Sequence, residues 1–190
     1  MNNTDFTAST ASMEPTAQKV SSSAGLAHLP LLIKELEKEN RTTREMLSRI
    51  PDSIYGWQPH PKSMTVKQLA NHLAELPAWT TMVLTTDGLD FASNPYKPNQ
   101  AGNTAAVLEL YDQSYQAARH ALENAPEDQL EQIWTLSNGA TVLAADNKLA
   151  TIRMCYCQIV HHRAQLGVYL RLNDIALPPS YGPSADEGGR

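Results

Sequence analysis

The chain lacks the long apolar runs and the cysteine content that mark several large classes of protein. No stretch of about 18 apolar residues occurs, which argues against a membrane-spanning helix. Its two cysteines, Cys155 and Cys157, lie two positions apart on a predicted helix and point to different faces, so we expect no structural disulfide. Reduced thiols, and an N-terminus without a basic start or an apolar segment, predict a cytoplasmic location.

Blocks of like charge and the short motifs of common catalytic sites are also missing. The net charge is −5 and no basic face is evident, which argues against nucleic acid as a partner because phosphate binding needs one. There is no glycine-rich phosphate loop, no Ser-His-Asp order and no paired Cys-x-x-Cys motif. These absences argue against nucleotide binding, acyl-transfer triads and zinc ribbons.

Two regions of the chain differ in composition. Residues 1–25 are rich in Ser, Thr, Ala and Asn and have few large apolar side chains, which predicts a disordered tail. Residues 26–190 are enough for one domain with a sizeable core. The whole chain is 42% hydrophobic and 18% charged, so we expect a globular fold over this second region.

Helical periodicity dominates the predicted domain. Apolar residues recur at helical spacing in four segments, which cover residues 29–49, 65–85, 104–124 and 149–172. Thr65 and Gln68 form a capping-box pattern at the start of the second segment. Residues 87–103 are predicted to be a long polar loop, of a kind that often lies over the mouth of a bundle.

A short hairpin is predicted before the last helix. Residues 132–136 and 141–143 have the pattern of short strands, and Asn138-Gly139 between them is a turn signal.

The last predicted helix carries a histidine on its apolar face. His162 falls between Ile159 and Leu166 in the apolar repeat, and Gln158 lies one turn before it on the same face. An imidazole directed at the interior needs a hydrogen-bond partner or a metal, because burying a polar ring alone is costly. The spacing alone leaves both roles open.

Several motifs resemble those of the DinB-like (damage-inducible) superfamily. The last helix and the segment after it resemble the family's C-terminal signature in three stretches, which are residues 161–166, 169–172 and 178–187. Asn71–Leu76 with Trp79 resembles the motif of its second helix, and residues 57–63 resemble the loop before that helix. The resemblance implies an all-α fold, a four-helix bundle over about residues 26–185, and association as a homodimer.

The resemblance also implies a metal site. Many members of the family hold a divalent metal with one His from the second helix and two His, four residues apart, from the last. His72 and His162 match this pattern, whereas Gln158 stands where the family usually has the other last-helix His. The implied ligands are therefore His72, Gln158 and His162, binding zinc or nickel with lower affinity than three imidazoles would. His161 could replace Gln158 if the helix is rotated slightly; otherwise it is a partly exposed surface residue.

Two functions follow from this resemblance. The first is a metal-dependent enzyme, a thiol S-transferase or hydrolase, that acts on a small-molecule substrate with a low-molecular-weight thiol or water activated at the metal. In that case residues 86–103 would supply binding groups. The second is a non-catalytic bundle with a degenerate metal site, acting as a small-molecule binder or a dimeric stress-response protein. Gln158 favours the second function, in which the two histidines are buried partners of each other, of Gln158 or of water.

Some polar and aromatic residues are predicted to have structural roles. Arg163, Gln165 and Arg171 are expected at the rim of the bundle or bound to helix-end carbonyls. Arg163 is expected to pair with Glu75 or with residues 186–187. Trp57 is expected to pack against the end of the bundle.

Overall fold

Four helices form the body of the protein. The computed structural model describes residues 27–95 and 97–186. The helices are α1 (Leu29–Ser48), α2 (Val66–Thr85), α3 (Thr104–Asn124) and α4 (Lys148–Leu172), with short 3-10 helices at Asp52–Ile54 and Glu127–Glu131. All four predicted helices are confirmed, with ends within one residue of the prediction. The predicted tail, residues 1–25, lies outside the described residues.

The helices are not arranged in simple chain order. α1 and α2 each pack against both α3 and α4, so that α1 and α2 occupy opposite corners of the bundle. This arrangement places α2 directly beside α4, the two helices that carry His72 and His162.

The side chain of the N-cap residue itself caps three of the four helices. The N–H of Gln68 donates to Thr65 Oγ1 at 3.2 Å, and the N–H of Thr65 donates back to Gln68 Oε1 at 2.8 Å, which confirms the predicted capping box. Asn103 and Asn147 accept from backbone N–H groups in the first turns of α3 and α4. These bonds satisfy N–H groups that have no partner within the helix.

A three-stranded sheet accompanies the bundle, so the expected all-α class is wrong in this respect. Its strands are β1 (Gly88–Asp90), β2 (Ile133–Asn138) and β3 (Thr141–Asn147). β2 and β3 form the predicted hairpin, and β1 pairs with β2 in parallel. β1 lies inside the predicted polar loop. It is only three residues long, and its partner strand is distant in sequence.

Two glycines and a carboxylate hold β1 against the hairpin. A Cβ atom at Gly88 would collide with the carbonyl oxygen of Thr135, its neighbour on β2. Gly139 in the hairpin turn has a φ of +60°, which favours glycine. Asp90 accepts the N–H of Gly139 at 2.7 Å and that of Ala92 at 3.0 Å, and these bonds lower the pKa of Asp90.

The helices and the two cysteines bear on the predictions about membrane spans and disulfides. Across residues 27–95 and 97–186, no helix combines the length and apolar character that a membrane crossing would need. Cys155 is buried and Cys157 is exposed, and both are free, which confirms that they form no disulfide.

A buried ion pair joins α1 to α4, and it corrects the prediction for Arg163. Arg163 is 2% exposed, and its Nη1 donates to Glu39 Oε2 at 2.5 Å and to Thr43 Oγ1 at 3.0 Å. Tyr181 completes the network, since its hydroxyl accepts from Arg163 Nη2 and donates to Glu39 Oε1. Arg163 therefore lies inside the bundle and not at its rim, because its position on α4 faces α1.

Arg171 and Trp57 both make contacts near the C-terminal end of α4. Arg171 pairs with Asp186, which also accepts the N–H of Leu177 at 2.9 Å. The ring of Trp57 packs edge-on against Tyr169, with the ring centroids 5.5 Å apart. Trp57 thus packs where it was predicted to, against the bundle.

We expect that removing only one member of the buried pair destabilises the fold strongly. Glu39→Leu leaves the Arg163 guanidinium buried without its counter-charge, at a cost of about 3–5 kcal/mol in the free energy of unfolding. The double variant Glu39→Leu/Arg163→Met should lose less of the free energy of unfolding than Glu39→Leu alone, because neither charge remains. Urea denaturation of the three proteins measures this; equal stability of the single variant and the wild type would contradict it.

Candidate metal centre

Two histidines from neighbouring helices meet beside the core. His72 on α2 and His162 on α4 pack edge to face, with ring centroids 4.6 Å apart and an angle of 80° between the rings. Both side chains are half-buried. The packing of α2 against α4 thus brings together the two histidines that were singled out from the sequence.

A hydrogen bond to Gln165 sets the orientation of the His162 ring. His162 Nδ1 lies 2.9 Å from Gln165 Oε1. Because an amide oxygen only accepts, Nδ1 carries the proton and donates, which leaves the lone pair on Nε2. A metal-binding imidazole is commonly held by such a bond from its other ring nitrogen. From the sequence, Gln165 was expected at the rim of the bundle or bound to helix-end carbonyls, and this bond to His162 was not predicted.

Both imidazoles favour the neutral form that a metal requires. Burial lowers the pKa of His72, and the nearby Glu75 carboxylate opposes that shift. Burial also lowers the pKa of His162; the bond to Gln165 opposes this, while the proximity of His72 and His161 lowers it further. Since protonated imidazole cannot bind a metal, these shifts extend the range of pH in which both rings can act as ligands.

The other two candidate ligands, Gln158 and His161, are more exposed than the two histidines in contact. Gln158 is exposed as a residue, but it lines the same cavity as His72. His161 is exposed and packs edge-on against His162, with centroids 4.8 Å apart. Within the described ranges, no three His, Cys, Asp or Glu side chains are placed to hold a metal together. A third protein ligand would therefore have to be of another type, such as the Gln158 amide.

An apolar cavity opens beside His72. We call it the Trp79 cavity; its volume is about 330 Å³, and it is lined by His72, Leu76, Trp79, Leu136, Met154, Cys155 and Gln158. Leu136 comes from β2, so the sheet forms part of the wall. Burial raises the pKa of the Cys155 thiol to about 12, which keeps that thiol protonated at neutral pH.

A second cavity adjoins His72. We call it the Asn71 cavity; its volume is about 240 Å³, and it is lined by Met64, Lys67, Gln68, Asn71, His72, Pro98, Asn99 and Gln100. His72 therefore lines both cavities.

Two side chains of α2 hold the loop that covers the Asn71 cavity. The side-chain amide of Asn71 donates to the carbonyl of Ala101 at 3.0 Å and accepts its N–H at 2.9 Å. One turn later, Glu75 accepts the N–H of Asn99 at 2.6 Å. Asn71 and Glu75 flank His72 in sequence, and both are buried. Neither role was predicted from the sequence, which offered Glu75 only as one alternative partner for Arg163.

The donor atoms fit a divalent metal. The two imidazoles in contact, and the Gln158 amide in the wall of a cavity that His72 also lines, offer nitrogen and oxygen donors of the kind that zinc and nickel accept. The amide oxygen is neutral and binds more weakly than a third imidazole. Such a set would leave coordination positions open towards the cavities, which suits the binding of a reacting group.

Solved structures share this architecture. A DinB-like protein from Bacillus subtilis superposes with a TM-score of 0.63 at 16% identity, over 80% of this chain and 98% of its own. YfiT from Bacillus subtilis, described as a probable metal-dependent hydrolase with an unusual four-helix bundle topology, gives 0.59 at 16% identity over 83% and 94%. The mycothiol-dependent maleylpyruvate isomerase gives 0.54 at 14% identity over 73% and 60%. At these identities the likeness shows the fold alone.

The family is established by the sequence. No protein of curated function matches it. The model of the DinB superfamily, however, matches residues 35–166, which is more than half of the chain and includes all of α2 and most of α4. The four helices have the same arrangement as in the DinB-like structures. Together with that arrangement, the match shows that the chain belongs to the DinB superfamily.

Proposed function

We propose that the protein is a metal-dependent enzyme that activates a low-molecular-weight thiol or a water molecule for attack on a small-molecule substrate. The ligands of the divalent metal, zinc or nickel, would be His72, His162 and Gln158. The observation that carries this proposal is the contact between two imidazoles of lowered pKa, from two helices, beside a cavity. The printed descriptions of two proteins of the same fold, a probable metal-dependent hydrolase and a mycothiol-dependent isomerase, support it.

Each residue near the centre has a role in this proposal. A bound divalent ion lowers the pKa of a coordinated thiol or water, so that the nucleophile is available near neutral pH. Gln165 holds His162 with Nε2 free to bind, and burial keeps both rings neutral. Leu76 and Trp79 exclude water from one side of the site, which strengthens electrostatic interactions there.

A second function has one specific observation in its favour. Gln158 is exposed, and among the described residues the histidines are joined by no third His, Cys, Asp or Glu ligand. A non-catalytic bundle that binds a small molecule in its cavities would need no metal. The homodimer and the cytoplasmic location stay predictions under both functions.

Metal content separates the two functions. We expect purified, untagged protein to contain about one zinc or nickel ion per chain, and His162→Ala to lose it because one of two imidazole ligands is gone. Elemental analysis after gel filtration measures this. His60→Ala is the matched control, since His60 is exposed and outside both cavities. Protein that stays metal-free after reconstitution would overturn the enzyme proposal.

The identity of residue 158 should control metal affinity. Gln158→His supplies an imidazole in place of a neutral amide, so zinc affinity should rise, whereas Gln158→Ala should lower it. Competition with a chromophoric chelator measures both affinities. Gln113→His, an exposed substitution on α3, is the matched control. Unchanged affinity in Gln158→His and Gln158→Ala would remove Gln158 from the ligand set.

The stability of the metal-free protein should depend on pH through the two histidines. Their pKa values are lowered in the folded state, so the unfolded chain binds more protons as the pH falls below about 6.5. The free energy of unfolding should therefore be lower at pH 5 than at pH 7.5. The free energy of unfolding of the double variant His72→Gln/His162→Gln should fall less between pH 7.5 and pH 5. Urea denaturation at both pH values measures this, and an equal loss in the two proteins would contradict it.

A further inference from the structure

We propose that the two cavities bind two different small molecules that meet at His72. An uncharged, apolar molecule occupies the Trp79 cavity, and a polar, anionic molecule occupies the Asn71 cavity. This inference rests on the proposed function and deepens it: the anionic molecule corresponds to the thiol of that function, and the apolar molecule to its substrate.

The Trp79 cavity selects against charge. Leu76, Trp79, Leu136 and Met154 supply its apolar walls, and no Asp, Glu, Lys or Arg lines it. A charged group that entered it would lose its water without gaining a counter-charge, which is costly. Its volume of about 330 Å³ falls within the range of small-molecule sites, in which apolar and aromatic walls predominate. An uncharged molecule with an aromatic or aliphatic body fits these walls.

The Asn71 cavity has a different set of hydrogen-bonding groups. Carbon atoms form most of its exposed surface too, but Lys67, Gln68 and Gln100 line it with an ammonium and two amides. In the part of the chain that the structure describes, no acidic side chain lies within ion-pair distance of Lys67. An unpaired cation beside amide groups favours a ligand with a carboxylate and further polar groups. Low-molecular-weight thiols of amino-acid origin carry such groups.

His72 connects the two cavities. It is a lining residue of both, so a molecule in either one lies against the same residue. The loop over the Asn71 cavity is held by Asn71 and Glu75, which gives that cavity a defined wall before any ligand binds. Two ligands bound at once would thus bring the anionic and the apolar molecule to the same residue.

Binding of two unreactive probes tests this arrangement in metal-free protein. The apolar probe is 4-fluorobenzyl alcohol, with 4-fluorobenzoate as its charged counterpart; the polar probe is N-acetyl-S-methylcysteine. Met154→Glu places a charge at the Trp79 cavity, and Lys67→Glu reverses the charge at the Asn71 cavity. Met154 is exposed, so the variant should fold. The matched controls are Val168→Glu, exposed on the same helix, and Lys34→Glu, exposed on α1.

The expected pattern is a crossed one. Met154→Glu should weaken binding of the apolar probe by about tenfold and leave the polar probe unaffected. Lys67→Glu should weaken binding of the polar probe by about fivefold and leave binding of the apolar probe unchanged. The wild type should bind the alcohol more tightly than the benzoate, and saturation with one probe should not displace the other. Fluorine and proton NMR titrations, with circular dichroism as a check on folding, measure these effects.

Three results would overturn the inference: mutual displacement of the probes, an equal response of both probes to one variant, or no binding of either probe by the folded wild type. Because the probes need no metal, their result is independent of the metal content. If each variant affects only its own probe in a protein that never takes up metal, the two binding cavities are supported and the metal-dependent enzyme is rejected. A metal-loaded protein whose probes compete would retain the metal centre and reject the two-molecule arrangement.

Discussion

The packing of α2 against α4 is the constraint on which the candidate site depends. His72 and His162 lie 90 positions apart in the sequence, and only this contact places their rings 4.6 Å from each other. The same two helices supply most of the Trp79 cavity, while Asn71 and Glu75 on α2 fix the wall of the Asn71 cavity. A shift of α2 along α4 would therefore change the histidine pair and both cavities together.

Local signals in the sequence predicted the helices and the hairpin well. Helical periodicity, the Thr65 capping box and the Asn138-Gly139 turn depend on residues close in the chain. β1 was missed because its pairing with β2 joins distant segments and its three residues carry no pattern. Arg163 was misplaced for a similar reason: a charged residue is exposed by default, and its buried partner Glu39 lies on another helix.

The candidate site was predicted in part. The resemblance to the family singled out His72 and His162, and the structure brings them together, whereas the ligand role of Gln158 stays a prediction. The sequence could not show the cavities, because their walls combine α2, α4, β2 and the loop at 98–100. Nor could it show that Gln165 orients His162, since that depends on side-chain geometry within one turn of helix.

The placement of α1 and α2 at opposite corners has a consequence for how the chain folds. α1 packs against α3 and α4 and not mainly against the helix that follows it, and the bond from Arg163 to Glu39 spans 124 positions. Contacts that close such long loops form late, because the entropy of loop closure opposes them until much of the chain has collapsed. This bundle should therefore reach its native state more slowly than one whose successive helices are neighbours, with the docking of α1 onto α4 among the last steps.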